Sequence, residues 1–422
     1  MKLQRIELFS TKREFSLFLL GSFFILLYSL LILYNNYKHL TQFDTAVTTA
    51  TILKQYNKTK TTKSGKIKTY QVLKLKSDEG FTFYTTSKPF TSSLCKTIEL
   101  TIYTKHISFY EYLTTFYAYS NILQIYPSNS LKYKFNRLIE KQHSDVNASN
   151  IYKALFNATP LERNLQATFS SLGISHLVAI SGFHLGVLSF FLFFLIKYPY
   201  KFLQNRYFPY RNYKLDSFVI VSAILLGYLI FLEYPPSLLR SFVMLIIGFI
   251  LYERNIKIIT MQTLLLTAIV LLAFFPKLFF AVGFWLSIAG VFYIFLFLIH
   301  SQNRSKLWQF SLLPFFVYLM MLPFSLSIFG NFSIYHPLSI LWSILFTLFY
   351  PLSIFLHVIG KGDFFDTFLH ALLHVKILKT TVELSYMYLI LHVMISLLSI
   401  FKKQALFVLL FNSFLVLFYA LY

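Results

Sequence analysis

The chain is poor in cysteine and in catalytic sequence motifs. Cys95 is the only cysteine among 422 residues, so an intramolecular disulfide, a cysteine-based metal cluster and an iron–sulfur centre are excluded. The sequence contains no G-x-x-x-x-G-K-[ST] loop, and we therefore expect no ATP hydrolysis by that route. It also lacks a cluster of histidine and aspartate suited to a metallonuclease. These absences predict that the protein is not an enzyme and holds no cofactor.

One histidine pair has a spacing that could ligate zinc. His370 and His374 lie one helical turn apart if this segment is helical. The adjacent glutamate of a zinc protease is missing, and no third ligand is evident in the sequence. We expect no metal at this pair, nor at His176 and His184, which lie far from acidic residues in the sequence.

Acidic residues are also scarce. The sequence has 16 Asp and Glu against 38 Lys and Arg, which gives a formal net charge of +22. Such a balance suits a partner with many negative charges, either nucleic acid or anionic lipid. Because lysine in loops also orients any polytopic membrane protein, the distribution of the charge matters more than its total.

Apolar residues dominate the rest of the chain. Hydrophobic residues make up 56% of the sequence and aromatic residues 20%, with a mean hydropathy of +0.61, which indicates an integral membrane protein. A charge-free run from Phe15 to Tyr34 follows four basic residues and is long enough to cross a bilayer core at about 20 residues. We predict a first transmembrane helix with its N-terminus in the cytoplasm, because no signal-peptide cleavage site is visible.

The next stretch lacks a spanning segment, so we place it outside the cytoplasm. Its alternating patterns and short turns predict a small all-β domain. The predicted strands are Ala46 to Lys54, Ile67 to Lys76, Gly80 to Thr86 and Ile98 to Lys105.

This β domain carries eleven lysines and three acidic residues between Ala46 and Lys105. A basic groove with aromatic platforms binds single strands without sequence preference, and each stacked base contributes about 1 to 3 kcal/mol. The alternative is a solvated lysine surface over a core that buries the aromatic side chains. The candidate DNA-binding residues are Lys54, Lys58, Lys60, Lys63, Lys66, Lys68, Tyr70 and Phe83.

Helices are predicted for the remainder. Ile107 to Tyr126 and Leu131 to Gln142 are helical stretches of intermediate polarity that lie on the outer membrane surface or pack beneath the β domain. The spans that follow give, with the first helix, about ten transmembrane helices. They are Gly173 to Ile196, Ser217 to Leu232, Leu238 to Tyr252, Ile258 to Phe275, Leu278 to Ile299, Trp308 to Phe329, Leu338 to Ile359, Glu383 to Phe401 and Ala405 to Leu421.

The first of these spans begins with polar residues where aliphatic ones are expected. Polar groups in hydrocarbon cost roughly 2 to 7 kcal/mol each without partners, so these must face protein, a break in the helix or a water-filled path. They either line a hydrated lumen or serve packing, with small residues between helices and histidines bonded to carbonyls. The candidate channel residues here are His176, Ser181, Gly182, His184 and Gly186.

Arg240 is a further candidate. Pro235 and Pro236 break the preceding helix, so Arg240 lies in the first turn of a membrane helix, where the helix dipole disfavours a cation. Its charge needs compensation, and the two alternatives are Glu233 and a phosphate group.

Three segments resemble the ComEC family of competence proteins. Leu172 to Gly186 contains the HL, AISG and second-histidine pattern of that family. Pro236 to Met244 is similar to its proline-small-x-x-Arg-small-x-x-Met helix start.

The third segment, Val282 to Val291, is similar to the family's GFQLS segment and adds Gly283 and Ser287 to the candidate channel residues. Trp285 stands where the family usually has glutamine, and Ala281 stands where it often has aspartate. A polar role at those two positions is therefore not expected here.

The resemblance implies a polytopic α-helical membrane protein with about ten transmembrane helices and a small all-β, OB-like extracytoplasmic domain. Many relatives carry a C-terminal metallo-β-lactamase-like domain, and since the sequence stops at Tyr422 directly after a membrane segment, we expect a form without it. The expected domains are the cytoplasmic N-terminus and first transmembrane helix (1–40), the basic OB-like β domain (41–106), an amphipathic helical linker (107–166) and the competence-type channel domain (167–422).

The implied function is a channel that translocates single-stranded DNA across the bacterial inner membrane during natural transformation. The implied partners are single-stranded DNA, membrane lipid, a periplasmic DNA receptor and a cytoplasmic ATPase, helicase or strand-binding protein. Two alternatives stay open: a membrane enzyme or transporter for small anionic or lipid-linked substrates, and a non-conducting scaffold of an uptake complex.

Overall fold

The computed structural model describes residues 8–9, 11–61, 67–90, 96–127, 130–375 and 380–421. The chain divides into two compact units. The sheet unit comprises Phe18–Glu162 and Leu272–Phe280, and the helical unit comprises Met1–Leu17, Arg163–Leu271 and Ala281–Tyr422.

The sheet unit begins within a long first helix, which is apolar along most of its length. In chain order the elements are α1 (Lys12–Leu40), β1 (Thr45–Thr61), β2 (Ile67–Ser77), β3 (Thr82–Ser87), β4 (Thr97–Tyr103), α2 (Phe109–Leu113), β5 (Phe116–Tyr117), β6 (Ser120–Tyr126), α3 (Leu131–Glu140) and α4 (Val146–Asn157). After α1, β1 is a long strand of 17 residues, and the helices α2 to α4 are short.

The six strands form one sheet in the order β5-β3-β2-β1-β4-β6. β1 pairs antiparallel with both β2 and β4, while β5 runs parallel to β3 and β6 antiparallel to β4. Since β5 and β6 are consecutive, one chain segment joins the two outer strands of the sheet. Thr85 Oγ1 of β3 lies 2.7 Å from Ser120 Oγ of β6, so the sheet curls and closes on itself.

The interior of this closed sheet is filled by the inward-facing residues of successive strands, which alternate with exposed ones. Full burial of such a side chain contributes about 1.5 to 3 kcal/mol. The side chains with no exposed surface are Ala50, Ile52, Leu73, Leu75, Phe83, Ile98, Leu100 and Ile102.

All four predicted strands are present, and β1 is longer than expected. It continues past Lys54 to Thr61, and its last residues pair only with the start of β2. Lys58–Thr61 and Ile67–Tyr70 therefore form a two-stranded extension, here called the lysine ribbon.

The prediction that Ile107 to Tyr126 is helical is wrong. The segment contains α2, which has five residues and a capping box at Ser108, and then the strands β5 and β6. β6 pairs along its length with β4, and its half-buried Ile122 packs on the sheet core. Pairing and burial in the sheet, which local pattern does not encode, decide the structure of this segment.

The helical unit contains the remaining helices, most of them apolar. A two-stranded pairing of β7 with β8 is its only sheet within the described residues. Its elements are α5 (Arg163–Ser171), α6 (Ser175–Val178), α7 (Gly182–Tyr207), α8 (Tyr213–Phe231), α9 (Pro236–Glu253), α10 (Met261–Phe274), α11 (Val282–His300), α12 (Lys306–Phe329), β7 (Asn331–Phe332), α13 (Ser339–Val358), α14 (Asp366–Leu373), β8 (Thr380–Thr381), α15 (Tyr386–Leu398) and α16 (Lys403–Leu421).

Among the residues that the structure describes, eight helices are long and apolar enough to cross a membrane, namely α1, α7, α8, α9, α11, α12, the segment with α13, and α16. α10 and α15 are shorter apolar helices. Together they agree with the expected polytopic helical fold of about ten spans with a small β domain. The first span of the helical unit differs from the prediction, because it is broken between α6 and α7.

Candidate functional site

The break before α7 starts from a glycine turn. Gly173 ends α5 with φ +72°, and Ile174 N donates to Phe169 O at 3.0 Å in the usual glycine-terminated helix end. A Cβ atom at Gly173 would lie 2.9 Å from the Cα of His336. The imidazole of His336 donates from Nε2 to Ser170 O at 2.9 Å. Only glycine fits this turn, which is held against the residues that precede α13.

Ser181 and His184 cap the start of α7. The Ser181 hydroxyl accepts from Phe183 N at 3.3 Å, and His184 Nδ1 accepts from Ser181 N at 3.2 Å. Histidine thus takes the third helical position of a capping box, where glutamate or glutamine is usual. Because Nδ1 is an acceptor, the proton of the neutral ring lies on Nε2.

The imidazole of His184 is completely buried. Its ring packs edge-on against Phe346 and Tyr350 of α13, with centroids 5.0 and 4.8 Å away. Within the described chain, Nε2 makes no hydrogen bond of normal geometry, although the backbone of Leu177 interacts with the ring. The His184 ring is thus enclosed by its own helix cap, the backbone of Leu177 and the aromatic rings of α13.

Arg240 is the fifth residue of α9, one turn further into the helix than expected, and is 6% exposed. Its guanidinium donates from Nε to Ser287 Oγ at 2.7 Å and from Nη2 to Ser241 Oγ at 2.9 Å, and Nη1 lies 3.0 Å from Met244 Sδ. All three partners are neutral.

Glu233, one of the two groups expected to compensate the charge of Arg240, does not pair with it. No ion pair joins the guanidinium to Glu233 or to another carboxylate among the described residues. A buried cation ordinarily needs an opposite charge close by, because removal from water costs several kcal/mol. Hydroxyl and thioether groups provide hydrogen bonds here without neutralising the charge.

The first turns of α7 and α9 meet at this guanidinium. Ser237 Oγ donates to Ile180 O at 2.9 Å, just before α7 begins. A Cβ atom at Gly182 would overlap the Ser241 hydroxyl and lie 2.9 Å from Arg240 Nη2. Each helix N-terminus carries a partial positive charge, so two of them add to the guanidinium. The arrangement suits an anion.

The structure thus brings Ser181, Gly182, Pro236, Arg240 and Ser287 into one cluster, here called the Arg240 cluster. Sequence reasoning missed Ser241, whose hydroxyl accepts from the guanidinium and donates to Ser237 O at 3.0 Å. The sequence signal for it was the spacing of four residues between Ser237 and Ser241, which places both serines on the same side of the helix, close to Arg240.

Three predicted channel residues lie apart from that cluster. His176 is exposed and its Nε2 lies 3.2 Å from Ser343 Oγ of α13. Cβ atoms added at Gly186 and Gly283 would meet no heavy atom within 4 Å. Close packing therefore does not explain these two glycines.

The predicted DNA-binding lysines separate into two groups in the sheet unit. Lys58, Lys60 and Lys68 are exposed on the lysine ribbon, where Lys60 is paired with Lys68 and Lys58 with Tyr70. Lys63 and Lys66 lie outside the described residues. The ribbon therefore concentrates positive charge next to a half-buried tyrosine.

Lys54 belongs to a second group that sequence analysis had not assembled. It is paired with Lys74 across β1 and β2, and Lys74 is paired with Tyr84 of β3. The ammonium groups lie over tyrosine rings, Lys54 at 6.0 Å from the Tyr56 centroid and Lys74 at 5.6 Å from that of Tyr84. Burial, and then the charge of Lys54, lower the pKa of Lys74.

The structure corrects the expectation for Phe83. Its ring is completely buried and stacks on Phe116 with centroids 5.6 Å apart. It points to the inner side of the sheet, because neighbouring strand residues face opposite sides, and the adjacent Tyr84 is on the outside. Phe83 is a core residue and offers no surface for a base.

The histidine pair of α14 is exposed, with 3.1 Å between the two Nε2 atoms of His370 and His374. In the parts of the chain that the structure describes, no group of three histidine, cysteine or acidic side chains could hold a metal ion.

Fold and site together define the class: a multi-pass helical membrane protein with a buried, positively charged helix junction and a basic β domain. The family model for "Competence protein" matches residues 157–422, more than half of the chain, and the chain belongs to this family. The resemblance to ComEC proteins is thereby confirmed, and membership gives the chain a role in DNA uptake. No curated protein and no solved structure is significantly similar to the chain.

Proposed function

We propose that the protein is a channel for single-stranded DNA in the bacterial inner membrane during natural transformation. In this proposal the N-terminus is cytoplasmic and the closed sheet lies outside the cytoplasm. The family's role in DNA uptake supports the cargo, and the apolar helices support passage through a membrane.

The closed sheet is the proposed capture domain. Its strand order supports an OB-like barrel, with β5 and β6 together as the fifth strand between β3 and β4. The lysine ribbon and the outer group of Lys54, Tyr56, Lys74 and Tyr84 offer positive charge beside aromatic rings. Single strands bind such surfaces through phosphate neutralisation and base stacking.

The Arg240 cluster is the proposed contact for the strand within the membrane. The observation that carries this is a buried guanidinium that has no acidic partner in the described parts of the chain. A polyanion crosses a membrane only along a hydrated, polar path. A guanidinium that a carboxylate already neutralises would attract a phosphate only weakly. Here the charge and two helix N-termini remain available to it.

The strand needs delivery and a driving force. We propose a periplasmic DNA receptor on the outer side, and a cytoplasmic ATPase, helicase or strand-binding protein on the inner side.

The experiment follows labelled DNA in cells with Arg240→Gln. The matched control is Arg254→Gln, which removes an exposed arginine from the other end of α9. We expect labelled DNA to stay outside the cytoplasm with Arg240→Gln and to enter with Arg254→Gln. Normal cytoplasmic entry in Arg240→Gln, at normal protein abundance, would refute the channel assignment for this cluster.

A second candidate is transport of a small anion or a lipid-linked phosphate. It is favoured by the enclosure of Arg240, because a 6% exposed guanidinium suits a single anionic group. This alternative predicts transport of inorganic phosphate or a phospholipid by the purified protein and indifference to DNA.

A further inference from the structure

Helix α3 of the sheet unit carries an apolar stripe that faces outward. Leu131, Phe135 and Leu138 are 65%, 49% and 55% exposed. Their spacing of four and then three residues places them on one side of the helix. Soluble proteins usually turn such a stripe towards their core.

The packing face of α3 lies elsewhere on the helix. Ile139 and Asn136 are buried, and α3 contacts α4, where Asn157 Nδ2 donates to Asn136 Oδ1 at 2.7 Å. At 100° per residue, this buried side is rotated by roughly a quarter turn from the apolar stripe. The stripe is therefore not an extension of the contact with α4.

Exposed basic residues border the stripe on the side away from α4. They are Lys134, Arg137 and Lys141. An apolar stripe with a cationic border is the pattern of helices that lie in the plane of a membrane interface. The basic side chains then reach the phosphates of anionic lipids, while their stems stay along the apolar boundary.

The sheet unit is also fixed to a membrane helix. α1 has 29 residues, so it is about 43 Å long and exceeds a hydrocarbon core of about 30 Å. Near its C-terminal end, Tyr37 Oη donates to Ile107 O at 2.9 Å, and Tyr34 and Tyr37 pack on Phe109 at 5.4 and 5.5 Å between centroids. These tyrosines are typical of the headgroup level. The unit therefore starts at the membrane surface.

We propose that α3 lies on the anionic lipid surface, with Leu131, Phe135 and Leu138 inserted and the basic border at the headgroups. This contact would hold the sheet unit in a fixed orientation on the bilayer. It depends on lipid and on α3 alone, whatever the protein transports.

The test uses full-length protein in proteoliposomes, with Cys95→Ser and a single new cysteine labelled with an environment-sensitive fluorophore. Leu138→Cys probes the stripe, and Glu140→Cys, exposed and about 200° around the helix, is the matched control. Lipids with a nitroxide quencher on the acyl chain are used in phosphatidylglycerol-rich and in pure phosphatidylcholine vesicles. We expect at least twofold stronger quenching at position 138 than at 140, and stronger quenching at 138 in the anionic vesicles.

Equal quenching at both positions would overturn the proposal. A blue-shifted but unquenched probe at 138 would also overturn it, because protein and not lipid would then cover the stripe. Insertion that persists unchanged in Lys134→Gln, Arg137→Gln, Lys141→Gln protein would refute the role of the basic border.

Discussion

The loss of stability on removing a buried arginine depends on whether its hydrogen-bond partners are charged. Removing one member of a buried ion pair leaves the other charge behind and costs about 3 to 5 kcal/mol. Arg240 has two hydroxyls and a thioether as partners, so its removal leaves no charge behind. Stability and function can therefore be separated at this residue.

We predict that Arg240→Gln reaches the membrane at wild-type abundance, since glutamine can still hydrogen-bond Ser241 and Ser287. Quantitative immunoblots of membrane fractions measure this, with Arg254→Gln beside it. A sharp loss of Arg240→Gln protein would indicate an acidic partner and contradict the neutral environment.

Gly182 and Gly186 form a natural pair for a second prediction. A methyl group at 182 would overlap the Ser241 hydroxyl, whereas one at 186 meets nothing within 4 Å. We predict that Gly182→Ala destabilises the junction of α7 and α9 by about 1 to 3 kcal/mol, as overpacking does. Gly186→Ala should be neutral.

Thermal melting of the two purified variants in detergent measures the difference, and cytoplasmic DNA entry should fall only with Gly182→Ala. Equal melting temperatures for the two would show that the junction can yield and that the close approach is unimportant.

Individual site residues were predictable from sequence where their placement in an apolar segment carries a high free-energy cost. Arg240 and His184 stand out because ionisable groups are expensive in an apolar segment. Phe83 was mistaken for a surface residue, because a strand residue's side depends on register, and lysine density does not report it. Ser241 was missed because its role depends on the approach of α7.

At the scale of elements, the lysine ribbon offers three exposed lysines, Lys58, Lys60 and Lys68, to a polyanion. Each phosphate contact to a single strand contributes about 0.7 to the slope of log affinity against log salt. We predict that the triple variant Lys58→Ala, Lys60→Ala, Lys68→Ala lowers the slope by about 2 for the full-length protein.

Fluorescence anisotropy of a labelled oligonucleotide, titrated at several salt concentrations, gives the slope. The control is Lys105→Ala, an exposed lysine that already lies 3.4 Å from Asp44. An unchanged slope in the triple variant would exclude the ribbon from binding, and a flat slope in the wild type would remove the electrostatic capture step altogether.

Lys74 lies outside the lysine ribbon, in the group with Lys54, Tyr56 and Tyr84, and gives that surface a pH dependence. Burial and the charge of Lys54 lower its pKa, so it loses its proton at a lower pH than an exposed lysine. As pH rises, we therefore expect oligonucleotide affinity to weaken first through Lys74. Lys74→Gln should have lower affinity at neutral pH and a flatter decline from pH 7 to 10, and a decline identical to that of the wild type would contradict a contact at Lys74.

The elements themselves were largely predictable. Long apolar runs locate the membrane helices, since few alternatives bury so many aliphatic residues. The strands β5 and β6 were not predicted from sequence. β5 has only two residues, and both strands are stabilised by pairing with strands that are distant in sequence. The only sequence indication of the break between α6 and α7 was the presence of serines and glycines in that segment.

For the whole molecule, sequence alone established a multi-pass membrane protein with a basic β domain, and the family match agrees with the competence resemblance. Composition could not establish the closure of the sheet, which requires one segment to pair with both β3 and β4. Nor could it establish the neutral surroundings of Arg240, which depend on three helices meeting.

The most direct test of the account is transport by purified protein in proteoliposomes that enclose a single-strand-binding protein as a trap. Labelled single-stranded DNA, duplex DNA and radioactive phosphate are added outside, and the label protected from external nuclease or washing is counted. We predict protection of single-stranded DNA, little of duplex or phosphate, and loss with Arg240→Gln. Uptake of phosphate without DNA, or of neither, would contradict a DNA channel.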